Sequence, residues 1–179
     1  MREPISAVLE YFTRYEDQRV GVFVDVQNFY YSAKNIYNSR VNFNTILKDS
    51  VGNRKLIRAI AYVIRAQMPE EQTFFDALSK AGYEVKEKDL QVFYGGTKKG
   101  DWDVGITMDI IKQMNKLDAI ILASGDGDYV PLLEYLNIFG VRAEVIAFGK
   151  STSKALVEAA DTFIDIDQNP KRYLMPIRK

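Results

Sequence analysis

The chain contains 179 residues, carries a formal net charge of zero, and lacks both cysteine and histidine. Its length and its 47% apolar content predict one compact domain with a sizeable core. The missing side chains exclude disulfides, Ser-His-Asp and Cys-His nucleophile pairs, and ordinary zinc sites. For hydrolysis near neutral pH this leaves carboxylates that hold a hard divalent cation. Because the net charge is zero, contacts to nucleic acid would have to come from local basic patches.

The hydropathy of the sequence argues against a membrane protein. Its apolar segments are far shorter than the roughly 20 residues that a membrane-spanning helix needs. The first residues, Met-Arg-Glu-Pro, do not resemble a secretory signal. We therefore expect a soluble, cytoplasmic protein that does not contact membranes.

The first predicted element is an amphipathic helix within residues 1–18, ahead of a main domain at residues 19–167. Its apolar residues recur at helical spacing after a proline: Ile5, Val8, Leu9, Phe12 and Tyr15. This stripe would pack either on the chain's own domain or on a second subunit in a homodimer. Both interpretations stay open.

The first half of the domain predicts two strands and three helices. Short runs of apolar and β-branched residues predict the strands, at residues 20–24 and 55–64. Apolar residues at helical spacing predict the helices, at residues 28–36, at 42–50 and from Pro69 to a stop at Gly82.

The second half continues the same alternation and ends in a basic tail. Strands are expected at residues 83–93, 118–123, 141–148 and 163–166. Helices are expected to start at Asp101, as a capping residue, and to cover residues 129–139 and 152–160. A glycine-rich loop is expected at 94–100, and the tail at 168–179 is expected to be loosely held.

This alternation of strands and helices predicts the fold class. Parallel strands joined by right-handed helical crossovers bury both faces of a sheet. We therefore expect an α/β fold, a three-layer sandwich with a central, mainly parallel sheet. Such sheets bind their ligands beyond the carboxyl ends of the strands.

Four aspartates fall where this fold would bring strand ends together. Asp25 ends the first strand, Asp126 and Asp128 follow the strand at 118–123, and Asp103 lies in the first turn of the helix before that strand. In a parallel sheet these four would share one edge, where their mutual repulsion favours a bound divalent cation. Each aspartate taken singly is also explained as a helix cap or a turn residue. Their combination favours a metal site.

A fifth aspartate is a weaker candidate. Asp109 lies six residues beyond Asp103, which places it about 9 Å lower on the same helix.

Polar and aromatic residues near this edge are candidate contacts for a phosphodiester substrate. The polar candidates are Lys98, Lys99, Ser124, Ser151, Thr152 and Ser153. The last three open a helix, where free backbone N–H groups favour phosphate. The two lysines are equally well explained as solvated loop charges. Tyr30 and Tyr31 would either stack on bases or pack in the core, and the sequence leaves both open.

Four segments of the sequence resemble the NYN domains of the PIN-like nucleases, and among them the bacterial LabA-like group. They are Phe-Val-Asp-Val-Gln-Asn-Phe at 23–29, Lys-Gly-Asp-Trp-Asp-Val-Gly at 99–105 with Asp109, Leu-Ala-Ser-Gly-Asp-Gly-Asp-Tyr-Val-Pro-Leu at 122–132, and the stretch from 140 to 164. The resemblance implies a parallel-sheet α/β sandwich. It also implies metal-dependent cleavage of RNA, as is thought for many members of the family.

The resemblance assigns positions as well. It places Asp25, Asp103, Asp126 and Asp128 at the family's acidic metal site and Asn28 at its accompanying polar position. The sequence departs from the family pattern beside Asp103, where Asp101 and Trp102 add a carboxylate and a large aromatic ring. Either would alter which phosphate the site admits.

The leading hypothesis is a metal-dependent ribonuclease of endonuclease type that uses Mg²⁺ or Mn²⁺. Asp25 and Asp126 would hold the ion, Asp103 and Asp128 would complete or flank its shell, and Asn28 would orient a ligand or the attacking water. The first alternative is a catalytically weak RNA-binding or regulatory module. A phosphatase is disfavoured, because Asp25-Val-Gln lacks the second aspartate of an Asp-x-Asp pair.

Overall fold

The computed structural model describes residues 15–92, 94 and 98–177. The amphipathic helix expected within residues 1–18 lies outside these residues except for its end, where 15–17 form a turn. None of the helices in the described part of the chain is both long and apolar enough to cross a membrane.

A parallel sheet of six strands forms the centre of the domain. The strands of the chain are β1 (Arg19–Asp25), β2 (Ser39–Val41), β3 (Lys55–Arg65), β4 (Glu84–Asp89), β5 (Gln91–Val92), β6 (Lys98–Lys99), β7 (Ala119–Ala123), β8 (Arg142–Ala147), β9 (Thr162–Asp165) and β10 (Leu174–Pro176). The six-stranded sheet has the order β4-β3-β1-β7-β8-β9, and all its neighbouring strands run parallel. Two small antiparallel pairs, β2 with β10 and β5 with β6, lie outside it.

Helices cover both faces of the sheet. They are α1 (Val26–Tyr37), α2 (Phe43–Val51), α3 (Glu71–Lys80), α4 (Asp103–Gln113), α5 (Val130–Ile138), α6 (Lys154–Ala159) and α7 (Pro170–Tyr173). Alternate residues of β1 enter opposite cores: Val22 packs with α1, α2 and α3, whereas Phe23 packs with α4, α5 and α6. Because a strand turns successive side chains to opposite faces, one apolar run supplies both cores. The predicted three-layer α/β sandwich is confirmed.

The structure divides the strand predicted at residues 83–93. β4 ends at Asp89, and after Leu90 the chain enters the short hairpin of β5 and β6. The next helix begins at Asp103 with Trp102 at its cap position and without a side-chain cap hydrogen bond, so the prediction that Asp101 caps it was wrong.

Residues 170–176 are ordered, contrary to the loosely held tail expected from their composition. Tyr173 is buried in the same core as apolar residues of α1 and α2, and Arg172 forms an ion pair with Asp49 on α2. Strand β10 pairs with β2, and neither strand was predicted. The composition of this segment showed its charges. It did not show that Asp49 pairs with Arg172 or that β2 pairs with β10.

A buried arginine links elements at the amino-terminal ends of the strands, opposite the carboxyl ends where the aspartates were predicted to meet. The guanidinium of Arg54 makes two hydrogen bonds to the carboxylate of Glu144 on β8, at 2.8 and 3.0 Å. It also donates to the side chain of Gln18 at 2.9 Å and to backbone carbonyls at the end of α2. The side chains of Arg54 and Glu144 are only 14% and 7% exposed, so this pair is screened little by water.

Replacing Arg54 with methionine is expected to lower the free energy of unfolding by about 3 kcal/mol. Glu144 would remain buried and, among the described residues, would keep Arg142 as its ion-pair partner. Urea denaturation followed by circular dichroism measures the loss. The control is Arg58→Met, because Arg58 pairs with Glu84 on an exposed surface, where ion pairs contribute at most about 1 kcal/mol. Equal losses in the two variants would contradict the importance of the buried pair.

Candidate metal centre

The predicted acidic residues come together at the carboxyl edge of the sheet. Asp25 is the last residue of β1, and residues 124–128 follow the neighbouring strand β7. Asp103 is the first residue of α4, which packs on the same edge through Tyr129. Parallel pairing brings these segments together although they are about 100 residues apart in sequence.

Three of the four carboxylates converge closely. One oxygen from each of Asp103, Asp126 and Asp128 lies within 4.8 Å of the others. Asp128 is exposed, and Asp103 and Asp126 are half-buried. We call these three residues the acidic triad. Because Asp128 is exposed, a small ligand can reach the triad from solvent.

Asp25 lies outside the triad and is more deeply buried, with 8% of its surface exposed. It accepts hydrogen bonds from the backbone N–H of Asn28 at 3.1 Å and from the hydroxyl of Ser124 at 3.3 Å. Burial raises the pKa of Asp25 to about 6, and the nearby charges of Asp103 and Asp126 add to the effect of burial.

The triad is shaped by hydrogen bonds from its own loop. The side chain of Asp126 accepts from the backbone N–H of Asp128 at 3.0 Å. The hydroxyl of Ser124 accepts from the backbone N–H of Asp126 at 3.3 Å, while it also contacts Asp25. Ser124 is therefore buried and supports the aspartates through hydrogen bonds. The sequence had instead suggested that it contacts the substrate.

Asn28 connects the first helix to this loop. Its side-chain oxygen accepts a hydrogen bond from the backbone N–H of Gly125 at 3.0 Å. A side chain on Gly125 would collide with Thr152, because a Cβ there would lie 2.7 Å from the threonine hydroxyl. The glycine thus allows the loop to pack tightly between α1 and the segment that follows β8.

A tyrosine that sequence reasoning did not select also belongs to the site. The hydroxyl of Tyr129 donates to Asp103 at 3.1 Å, and its ring is almost fully buried. Burial and the surrounding carboxylates, first Asp25 and then Asp103, raise the pKa of this phenol above its usual value. The pKa of Asp103 is itself raised by burial and by its acidic neighbours. In the sequence, the signal that could have identified Tyr129 was its position directly after Asp128.

Asp109 lies away from the triad, as its position on the helix predicted. It forms an ion pair with Lys86 at 2.7 Å and accepts from the hydroxyl of Tyr62 at 2.9 Å. Although burial alone would raise the pKa of Asp109, these two partners hold it below the usual value. This aspartate is neutralised within the protein and needs no cation.

The segment after β8 does not offer the free N–H groups that we expected. The backbone N–H groups of Ser151, Thr152 and Ser153 donate to the carbonyls of Phe148, Gly149 and Gly125. The hydroxyl of Ser151 shares a hydrogen bond with Ser32, and that of Thr152 donates to Phe148. These residues therefore anchor α1 and the acidic loop, and their amides are not available for phosphate. The side chains of Lys98 and Lys99 lie outside the described residues.

The chemistry of the triad fits a hard divalent cation. Among the described side chains, no lysine or arginine forms an ion pair with Asp25 or with any triad residue. Carboxylate oxygens are the preferred ligands of Mg²⁺.

The six parallel strands and the acidic triad define an α/β domain with carboxylates at the carboxyl edge of its sheet. The family model of the NYN domain matches residues 19–167. The chain therefore belongs to the NYN domain family, and the family predicted from the sequence is confirmed.

Two relatives extend this result. The chain is 25% identical over 165 residues to the low amplitude and bright protein LabA of Synechococcus elongatus. The aligned region covers 86% of each chain. It is 33% identical to a protein of unknown function from Vibrio parahaemolyticus whose crystal structure superposes with a TM-score of 0.82. That comparison covers 89% of this chain and 98% of the other. The similarity in sequence to LabA and the similarity in fold to the Vibrio protein therefore each extend over most of the chain.

Replacing Asp25 with asparagine is expected to stabilise the metal-free protein near pH 7.5. The folded protein raises the pKa of Asp25 from 3.8 to about 6. This group therefore favours folding below pH 4 and loses that contribution as the pH rises through 6. Removing the ionised group would recover up to about 3 kcal/mol, and the gain should shrink as the pH falls from 7.5 to 5.

Thermal unfolding in EDTA at several pH values measures this gain. The matched control is Asp109→Asn, which removes a carboxylate that is already paired with Lys86. That variant should be destabilised by about 1 kcal/mol. A lower melting temperature for Asp25→Asn at pH 7.5 would contradict an uncompensated charge at this position.

Proposed function

We propose that this protein is a metal-dependent ribonuclease that hydrolyses phosphodiester bonds of RNA at the acidic edge. The observation that supports the proposal is the convergence of the triad without a paired cation among the described side chains. Membership of a nuclease-like family supports the same reaction class.

The residues that we assign as principal metal ligands differ from those expected from the sequence, which were Asp25 and Asp126. Because Asp103, Asp126 and Asp128 converge most closely, we assign them as the residues that would hold Mg²⁺ or Mn²⁺. Asp25 lies deeper and would act from beneath, directly or through a water. When bound, the ion would lower the pKa of a water molecule and neutralise charge on the phosphoryl oxygens.

The surrounding residues prepare this arrangement. The hydroxyl of Tyr129 donates a hydrogen bond to one oxygen of Asp103 and so orients this carboxylate. The backbone N–H of Asp128 holds one oxygen of Asp126 in the same way. Asn28 uses its side-chain oxygen on Gly125, so its amide N–H₂ group remains to orient the substrate or the attacking water.

Binding of Mn²⁺ is expected to quench the fluorescence of Trp102. This residue is the only tryptophan in the sequence and directly precedes Asp103. Its indole N–H donates to the carbonyl of Val63 at 2.9 Å, which holds the ring in place. In a titration, Asp128→Asn should weaken the apparent affinity for Mn²⁺ by about tenfold or more.

The control for the titration is Asp109→Asn, since Asp109 is paired with Lys86 away from the triad. Its quenching curve should match that of the wild type. If Asp128→Asn also gave the wild-type curve, the triad would not be the binding site.

Replacing Asp126 with asparagine is expected to abolish metal-dependent cleavage of RNA. Labelled single-stranded and hairpin RNAs are incubated with Mg²⁺, with Mn²⁺ or with EDTA, and the products are separated on gels. Removal of a ligand carboxylate should lower the rate by about a hundredfold or more. The wild-type protein should be inactive in EDTA.

The matched control is Asp76→Asn, an exposed aspartate in the middle of α3. It should cleave at the wild-type rate. Equal cleavage by Asp126→Asn would indicate a contaminating nuclease or another site. RNA binding without cleavage by the wild-type protein would contradict the proposal and favour a regulatory RNA-binding module.

A further inference from the structure

Two neighbouring tyrosines on α1 stay exposed in the folded protein. Tyr30 and Tyr31 are 50% and 51% exposed, whereas the apolar residues Val26, Phe29 and Ala33 of the same helix are buried. The centroids of the two rings lie 5.5 Å apart with an interplanar angle of 73°. Of the two interpretations left open by the sequence, packing in the core is therefore wrong.

The helix that carries these rings is fixed to the acidic edge at three points. Its cap is Asp25, its third residue Asn28 bonds to Gly125, and Ser32 bonds to Ser151 at 2.9 Å. At a rise of 1.5 Å per residue, Tyr31 lies about 9 Å along the helix axis from Asp25. The helix that carries the tyrosines is thus anchored to the acidic edge, and its rise sets their axial offset from Asp25.

A cation accompanies the aromatic pair. The ammonium group of Lys34 lies 5.5 Å from the centre of the Tyr30 ring and 3.5 Å from its hydroxyl. Lys34 is exposed and forms no ion pair among the described residues. An exposed aromatic surface beside a positive charge that lacks an acidic partner is a combination that suits single-stranded nucleic acid, because bases stack on the rings and phosphate approaches the cation.

We propose that Tyr30, Tyr31 and Lys34 form a subsite that binds unpaired bases of single-stranded RNA next to the scissile phosphodiester. We call these residues the tyrosine platform. The inference rests on the proposed ribonuclease function and deepens it, because it assigns the substrate class. Bases within a duplex stack on one another and present no free face to a tyrosine ring. Single-stranded RNA is therefore the preferred ligand.

The test measures binding in EDTA, so that neither metal nor cleavage contributes. Fluorescence anisotropy with a labelled single-stranded RNA of mixed sequence and a matched hairpin gives the two affinities. The wild-type protein should bind the single strand more tightly. The double variant Tyr30→Ala/Tyr31→Ala should weaken that binding at least about tenfold, since each stacked base contributes substantially. Tyr30→Phe/Tyr31→Phe keeps both rings and should retain most of the affinity.

A second exposed aromatic pair provides the matched control. Tyr135 and Phe139 are 38% and 57% exposed near the end of α5, with ring centroids 4.7 Å apart. Their double alanine variant should bind RNA like the wild type. Equal affinities for wild type and Tyr30→Ala/Tyr31→Ala would overturn the platform, as would an absence of single-strand binding by the wild type.

The platform and the ribonuclease proposal can fail separately. Loss of cleavage in Asp126→Asn together with tyrosine-independent binding would overturn only the platform. Tyrosine-dependent binding by a protein that never cleaves RNA would retain the platform and overturn the nuclease.

Discussion

Repulsion among carboxylates at the end of the sheet is the physical constraint around which this domain is organised. The charges of the triad and of Asp25 are brought close together, and the described side chains supply no ion pair to offset them. Their positions are maintained because backbone N–H groups, a serine and a tyrosine hydroxyl hold the individual oxygens. The apolar cores on both faces of the sheet stabilise an arrangement that is electrostatically unfavourable on its own.

The central position of β1 explains why the site lies where it does. β1 pairs in parallel with β3 on one side and β7 on the other, so Asp25 ends beside the loop that carries Asp126 and Asp128. Helix α1 then leaves the same edge and carries Asn28 toward Gly125. A buried apolar strand thus positions both the acidic group and the helix whose exposed face forms the tyrosine platform.

Identical side chains acquire different chemistry from their surroundings in this fold. Asp109 has a lysine and a phenol as partners and keeps a low pKa, whereas burial raises the pKa of Asp25. A comparable contrast separates Tyr129, which is buried against Asp103, from Tyr31, which is exposed to solvent. The division between a proposed metal site and a proposed base-stacking surface depends on these environments rather than on residue type.

The sequence by itself determined the fold class, the family and the edge at which the aspartates meet, because apolar runs, helical spacing and the acidic segments are all local signals. Only the tertiary structure decided that Asp103, Asp126 and Asp128 converge while Asp25 lies deeper, that the amides of residues 151–153 are already bonded, and that residues 170–176 are ordered. Each of these outcomes depends on a partner far away in the sequence. Local patterns carry no information about such partners, since distance and burial are established only when the strands and helices pack.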